Sequence, residues 1–207
     1  LVRSLESYVT YYQKWSATWE AQALIRARHG AGERALSDAL LWVIEPIRYP
    51  EAGLSREQFM EIRRLKARME SERIGRGLDP RNHLKLGPGG LSDVEWTIQS
   101  LQLRHAGRLP ELRVTGTLEA LRQLVQADLV TTDDADALQD AFLLASRARN
   151  AVVLVRNQVS DLLPVDAAVL GQVARTLGYP GGSHLADEWY RVARRARDVA
   201  DRLFWVD

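Results

Sequence analysis

Residues 131–156, TTDDADALQDAFLLASRARNAVVLVR, decide the fold. Their apolar positions Leu138, Phe142, Ala145, Ala148, Val152 and Val155 recur at steps of three and four, the period of an α-helix with one buried face. Thr131 or Thr132 is the expected cap, and Asp133 and Asp134 complement the positive end of the helix in its first turn. Together with Asp136 they imitate an acidic metal cluster. Carboxylates that follow a threonine cap are ordinary dipole complements, however, and no metal site is expected there.

The same period extends outward in both directions. Downstream, Pro164 opens a helix closed by Leu177 and a C-terminal Gly178. Ser183 starts the last one, with Trp189, Ala193, Ala196, Ala200 and Leu203 inward. Upstream lie a helix over 117–127 and another from Ser92 to Ala106. Ser92 and Glu95 fit a capping box there, and Leu91 and Trp96 a hydrophobic staple. Before the irregular, glycine-rich stretch 75–90, Ser55 caps a charged helix reaching Ile74, with Phe59, Ile62, Leu65 and Met69 as its stripe. A helix over 33–44 stops before Pro46, and the first runs from Ser4 to His29. The expectation is an all-α protein of about eight helices. Residues 1–54 form linker helices and 55–207 a helical bundle domain, its helices antiparallel from Leu91 onward because the loops are short.

Composition narrows the function classes. The 28 basic and 27 acidic residues leave a net charge of +1, without the basic excess of a nucleic-acid or anionic-membrane binder. No cysteine is present, which excludes disulfides and thiolate metal sites and fits a reducing, cytoplasmic setting. No run approaches the roughly 18 apolar residues of a membrane span, and the first residues, LVRSLESYVTYYQKW, do not read as a signal peptide. The start at Leu1, in mid-pattern, reads as part of something longer.

Several constellations have both a functional and a structural reading. Tyr8, Tyr12, Trp15, Trp19 and Ala23 share one arc of the first helix, and core packing is the favoured reading over a ligand-stacking wall. Arg26 continues that arc and needs either a partner (an aromatic, a carboxylate or a phosphate) or a water-filled cleft; Arg28 points to the opposite side. The loop HLKLGPGGLSD, residues 83–93, is a glycine-rich turn running into a helix N-terminus, which suits an anion, with Lys85 supplying charge. It lacks a Walker A ending, and Asp93 in the first turn would repel a phosphate. The alternative, a tight turn that brings the helix close to another backbone, is favoured. Arg191, Arg194, Arg195, Arg197 and Arg202 read as a solvated face, with a partner surface as the alternative. His29, His83, His105 and His184 have no metal-ligand spacing, and no nucleophile–base pair is legible.

Three blocks carry a resemblance: LVRSLESYVTYYQKWSATWEAQALIRAR, HLKLGPGGLSDVEWTIQSLQLRHAG, and RNAVVLVRNQVSDLLP followed by LGYP. Together they resemble the bifunctional glutamine synthetase adenylyltransferase/adenylyl-removing enzymes. The uridylyltransferases that modify the PII signalling protein are similar at the turn, but Glu95, Trp96 and Gln99 favour the glutamine synthetase family. The resemblance implies a helical domain that follows a nucleotidyltransferase core, in the half that transfers AMP from ATP to a tyrosine of glutamine synthetase. The core's Gly-Ser turn and Asp-x-Asp motif, which hold Mg²⁺ on the triphosphate, are missing here and are expected just before Leu1. No catalytic residue or metal ligand is therefore carried over to this chain. The positions implied to face the cleft are Glu20, Arg26 and Arg28 in the first block and Lys85, Gly89, Gly90 and Asp93 in the turn. Glutamine synthetase is the implied partner, and a PII-type regulator a further one.

Overall fold

The computed structural model describes residues 3–75 and 77–206. They form nine α-helices: α1 (Leu5–Lys14), α2 (Thr18–Leu24), α3 (Arg34–Arg48), α4 (Arg56–Arg73), α5 (Leu91–His105), α6 (Thr117–Gln126), α7 (Thr132–Arg156), α8 (Ala167–Thr176) and α9 (Gly182–Ala200). Short 3₁₀ turns lie at Pro80–Asn82 and Pro110–Leu112, and a π turn at Asp201–Trp205 follows α9. Among the described residues the nearest thing to a strand is an isolated antiparallel bridge between His83 and Leu162. The all-α expectation holds.

The expected single helix over 4–29 is two helices. The Ser16 hydroxyl donates back to the Tyr12 carbonyl, and the Glu20 carboxylate accepts the Ala17 N–H, a donor that a continuous helix would have used internally. The Ala17 backbone is extended, and α2 ends at Leu24. Arg26 and Arg28 consequently lie beyond the helix rather than on one of its arcs. Nor is the aromatic arc a core: Trp15 and Trp19 are 74% and 48% exposed. Tyr8 and Tyr12 stack with ring centroids 6.2 Å apart at the half-buried part of α1.

The described residues gather into two compact units, one holding the chain as far as Lys66 with Ile98–Leu129, the other Ala67–Thr97 with Val130 onward. In the first unit α1 and α2 pack on α3. Helix α3 continues through Pro46 to Arg48, past the expected stop. The hydrogen bond that the proline removes would have gone to the carbonyl of Trp42, on a side of the helix where Trp42 and Pro46 are exposed and water substitutes. Arg113 closes this unit by donating to the carbonyls of Ala106 and Gly107 and to Glu45.

In the second unit α7, α8 and α9 pack on one another. Buried alanines on α7 (Ala141, Ala145, Ala148) and on α9 (Ala193, Ala196, Ala200) keep side chains short on the packing faces. Thr131 caps α7 as expected, its hydroxyl accepting the Asp134 N–H. Helix α8 starts later than Pro164 suggested, because Asp166 is the cap, accepting from the Val169 N–H. The π turn after α9 shifts the register by one residue, so Phe204 is fully buried and Leu203 only partly. The Phe204 ring meets Trp96 edge-on at 6.4 Å.

Candidate functional site

The turn before α5 is built by two neighbours distant in sequence. Leu84 N–H donates to the Asp161 carbonyl and Leu163 N–H to the Asn82 carbonyl, each at 2.8 Å, which clamps residues 82–84 against the loop after α7. Arg149 on α7 binds the Asp161 carboxylate and holds that loop in place. His83 is buried, and its Nδ1 accepts the Leu86 N–H at 3.1 Å, which fixes the proton on Nε2. Burial lowers its pKa below the usual 6.5, although Asp161 pulls the other way.

Beyond His83 the chain coils on itself. Gly90 N–H donates to the Gly87 carbonyl, Leu91 N–H to Leu84 and Ser92 N–H to Lys85. The helix begins at Leu91, so Ser92 lies inside it, buried, and is not the expected cap. Gly89 N–H donates at 2.7 Å to Oδ2 of Asp93, which is 1% exposed. The Arg197 guanidinium lies 3.2 Å from the same oxygen and 2.9 Å from Asp201. Burial disfavours charge on Arg197, but Asp93 and Asp201 outweigh it and hold the guanidinium above its ordinary pKa. These N–H groups are thus occupied by carbonyls and by the turn's own carboxylate.

Gly89 has φ +72, and a Cβ there would fall 1.8 Å from the Ala193 carbonyl of α9. This is the close backbone approach named as the alternative to an anion site. Gly90 is similarly enclosed, its Cβ position 2.8 Å from the Leu84 carbonyl. Lys85 is exposed, on the outside of the turn.

Glu20, Arg26 and Arg28 belong to the first unit. Glu20 Oε1 accepts from the Tyr11 hydroxyl at 2.8 Å as well as from Ala17. That bond, with burial and the carboxylate charge behind it, raises the Tyr11 pKa. The exposed Arg26 donates to the Thr117 hydroxyl at the start of α6, and Arg28 is exposed.

Sequence reasoning missed Arg197, which was placed on the solvated arginine face. It is half-buried, and its charge is spent on Asp93 and Asp201. The signal was available: Arg197 stands one residue after Ala196 and four after Ala193, on the flank of the buried stripe of α9. Asp134 likewise pairs with Arg202. Among the described residues no group of three or more His, Asp or Glu side chains is arranged to hold a metal ion. With Asp93 bonded to Gly89 and Arg197, the turn does not fit a magnesium site either.

A family model described as GlnD PII-uridylyltransferase matches residues 55–204, which include the turn, α5 and α7–α9. The chain belongs to the GlnD PII-uridylyltransferase family. A second model, glutamate-ammonia ligase adenylyltransferase, matches residues 1–42. Over its whole length the chain corresponds to a segment of the bifunctional glutamine synthetase adenylyltransferase/adenylyl-removing enzymes, as the three sequence blocks implied. It is 53% identical to the one from Cutibacterium acnes, over 99% of the chain and 21% of that relative. It is 50% identical to the one from Streptomyces coelicolor and 48% identical to that of Nocardia farcinica, over 100% and 99% of the chain and 21% of each relative. The chain thus spans about a fifth of the length of the curated relatives that it matches.

Proposed function

We propose that this chain is the helical part of a longer cytoplasmic enzyme that transfers AMP from ATP to a tyrosine of glutamine synthetase, and that it supports the active-site cleft without performing the chemistry. The observation that carries this reading is likeness over the entire chain to enzymes named for that activity, at 53% identity in one case. The Mg²⁺ that polarises the triphosphate in such transfers has its ligands, on this reading, in neighbouring polypeptide.

The seven candidate residues divide by their surroundings. Gly89, Gly90 and Asp93 are buried and act as an internal brace that fixes the turn. Lys85, Arg26 and Arg28 are exposed cations, Arg26 being held to Thr117, on the surface where a phosphate or the target protein would meet them, and Glu20 shapes the start of α2. In the intact enzyme, Arg26→Ala and Lys85→Ala each lower AMP transfer while the fold stays stable. Unchanged kinetics in both variants would remove them from the cleft. For the chain alone, AMP attached to glutamine synthetase after incubation with only this purified protein, ATP and magnesium would refute the supporting role.

A second reading has an observation of its own. Trp42 is 77% exposed in the first unit and lines a groove of about 660 Å³, whose wall is Val9, Tyr12, Val43, Pro46 and Ile47 with the Glu45–Arg113 pair at its edge; Trp15, 74% exposed, lies elsewhere on the same unit. An exposed tryptophan in a mainly apolar groove fits a protein-docking surface, for glutamine synthetase or a PII-type regulator. Calorimetric titration with ATP and, separately, with glutamine synthetase divides the readings: heat with nucleotide alone favours the cleft, heat with protein alone the docking surface.

A further inference from the structure

The second unit holds a cavity of about 490 Å³ lined by Arg81, Pro88, Tyr190, Ala193, Arg194 and Arg197. That volume falls within the range of small-molecule sites. Three guanidinium groups line it, and their charges are not equally committed. Arg81 grips the Asp79 carboxylate with two nitrogens, at 3.0 and 2.7 Å. Arg197 is shared between Asp93 and Asp201. Arg194 makes no ion pair among the described residues. It follows Ala193, whose backbone meets Gly89, so the rigid contact between α9 and the turn fixes its stem at the cavity.

The cavity also has a flat apolar part. The Tyr190 hydroxyl donates to Asn82 Oδ1 at 2.6 Å, which fixes the ring, and Pro88 contributes a second flat surface. The Trp189 indole N–H donates to the Arg81 carbonyl and holds the 3₁₀ turn at this rim.

We propose that this cavity is a binding site for a small organic anion, with the acidic group on Arg194 and a flat apolar body against Tyr190 and Pro88. A guanidinium reads the planar or tetrahedral oxygens of a carboxylate or phosphate through a pair of hydrogen bonds. The inference is independent of the cleft-supporting role proposed above.

The test is calorimetric titration of the 207-residue chain with three probes: phenyl phosphate, benzoate and inorganic phosphate. Phenyl phosphate or benzoate, whichever acid the site prefers, binds more tightly than inorganic phosphate because only they carry the flat body. Arg194→Ala weakens that binding about tenfold, the worth of a hydrogen bond to a charged group. Arg194→Lys keeps the charge but loses the fork, and restores only part of it. Arg194 is exposed, so both variants retain the helical circular dichroism of the parent. Absence of saturable binding by all three probes at millimolar concentration overturns the proposal. So does binding that survives unchanged in Arg194→Ala, or inorganic phosphate binding as tightly as the better of the two aromatic acids.

Discussion

The Arg197 guanidinium of α9 lies 3.2 Å from Oδ2 of Asp93, and that oxygen also accepts the Gly89 N–H at 2.7 Å. One carboxylate therefore ties a helix start, a glycine turn and a helix 104 residues further along the chain. Removing Arg197 weakens the compensation of a buried carboxylate, whereas removing Asp93 leaves Arg197 paired with Asp201.

For Arg197→Ala, the carboxylate left behind is 1% exposed, and breaking a fully buried pair costs about 3–5 kcal/mol. Arg197 itself is 30% exposed, so partial screening reduces the expected loss to about 2–3 kcal/mol. Asp93→Asn keeps an acceptor for Gly89 and costs less. Urea denaturation reads both as shifts in the midpoint, and Asp93→Asn proving the more damaging would contradict the account.

Two glycines with nearly the same backbone separate strain from crowding. Gly89 has φ +72 with the Ala193 carbonyl in the way, while Gly178 has φ +83 and nothing within 4 Å of a Cβ. Gly178→Ala costs about 1–2 kcal/mol for the left-handed conformation alone. Gly89→Ala must also displace α9 backbone and costs at least twice as much. Equal melting temperatures for the two variants would mean that the contact with α9 is not tight.

Acid should weaken the protein before its carboxylates titrate. Burial lowers the pKa of His83 and of His105 below 6.5, so the unfolded chain binds protons more readily than the native one. The stability owed to the neutral rings is fully present above 6.5 and declines as the pH falls below it toward the lowered native values. Unfolding free energy measured by denaturant at stepwise lower pH should fall across this window. His83→Asn offers an oxygen near the place of Nδ1 and should flatten the decline. A constant stability between pH 7 and pH 5 would count against a neutral buried His83.

The exposed tryptophans invite a change that spares the fold. Trp15→Ala and Trp42→Ala remove side chains that are 74% and 77% exposed, so stability should move by no more than about 0.5 kcal/mol. If the first unit docks glutamine synthetase, calorimetric binding drops sharply in the double variant. Undiminished binding would leave these rings without a docking role.

Much of the candidate site was legible. The spacing of Gly89, Gly90 and Asp93 pointed to either an anion or a close backbone approach, and the Ala193 carbonyl at 1.8 Å from the Gly89 Cβ position supplies the second. The flanking place of Arg197 beside the buried stripe of α9 was legible, but its pairing with Asp93 was not, because nothing in the sequence says which distant carboxylate a flanking arginine meets. The clamp of Leu84 on Asp161 was likewise hidden, since backbone carbonyls carry no mark in a sequence.

By itself the sequence determined that α4, α6 and α7 form and where they begin, because a period of three and four residues and a capping hydroxyl or glycine act within a few residues of one another. The Thr131 hydroxyl on Asp134 and the Ser55 hydroxyl on Gln58 are such local contacts. Tertiary structure alone decided what local signals could not weigh. The turn before α5, whose Leu84 and Lys85 carbonyls take the first N–H groups of the helix, is held by the distant Asp161 carbonyl, and Phe204 replaces Leu203 in the core through one π turn. In each case a competing hydrogen bond or a better-filled core outweighs a helical preference of only tenths of a kcal/mol per residue.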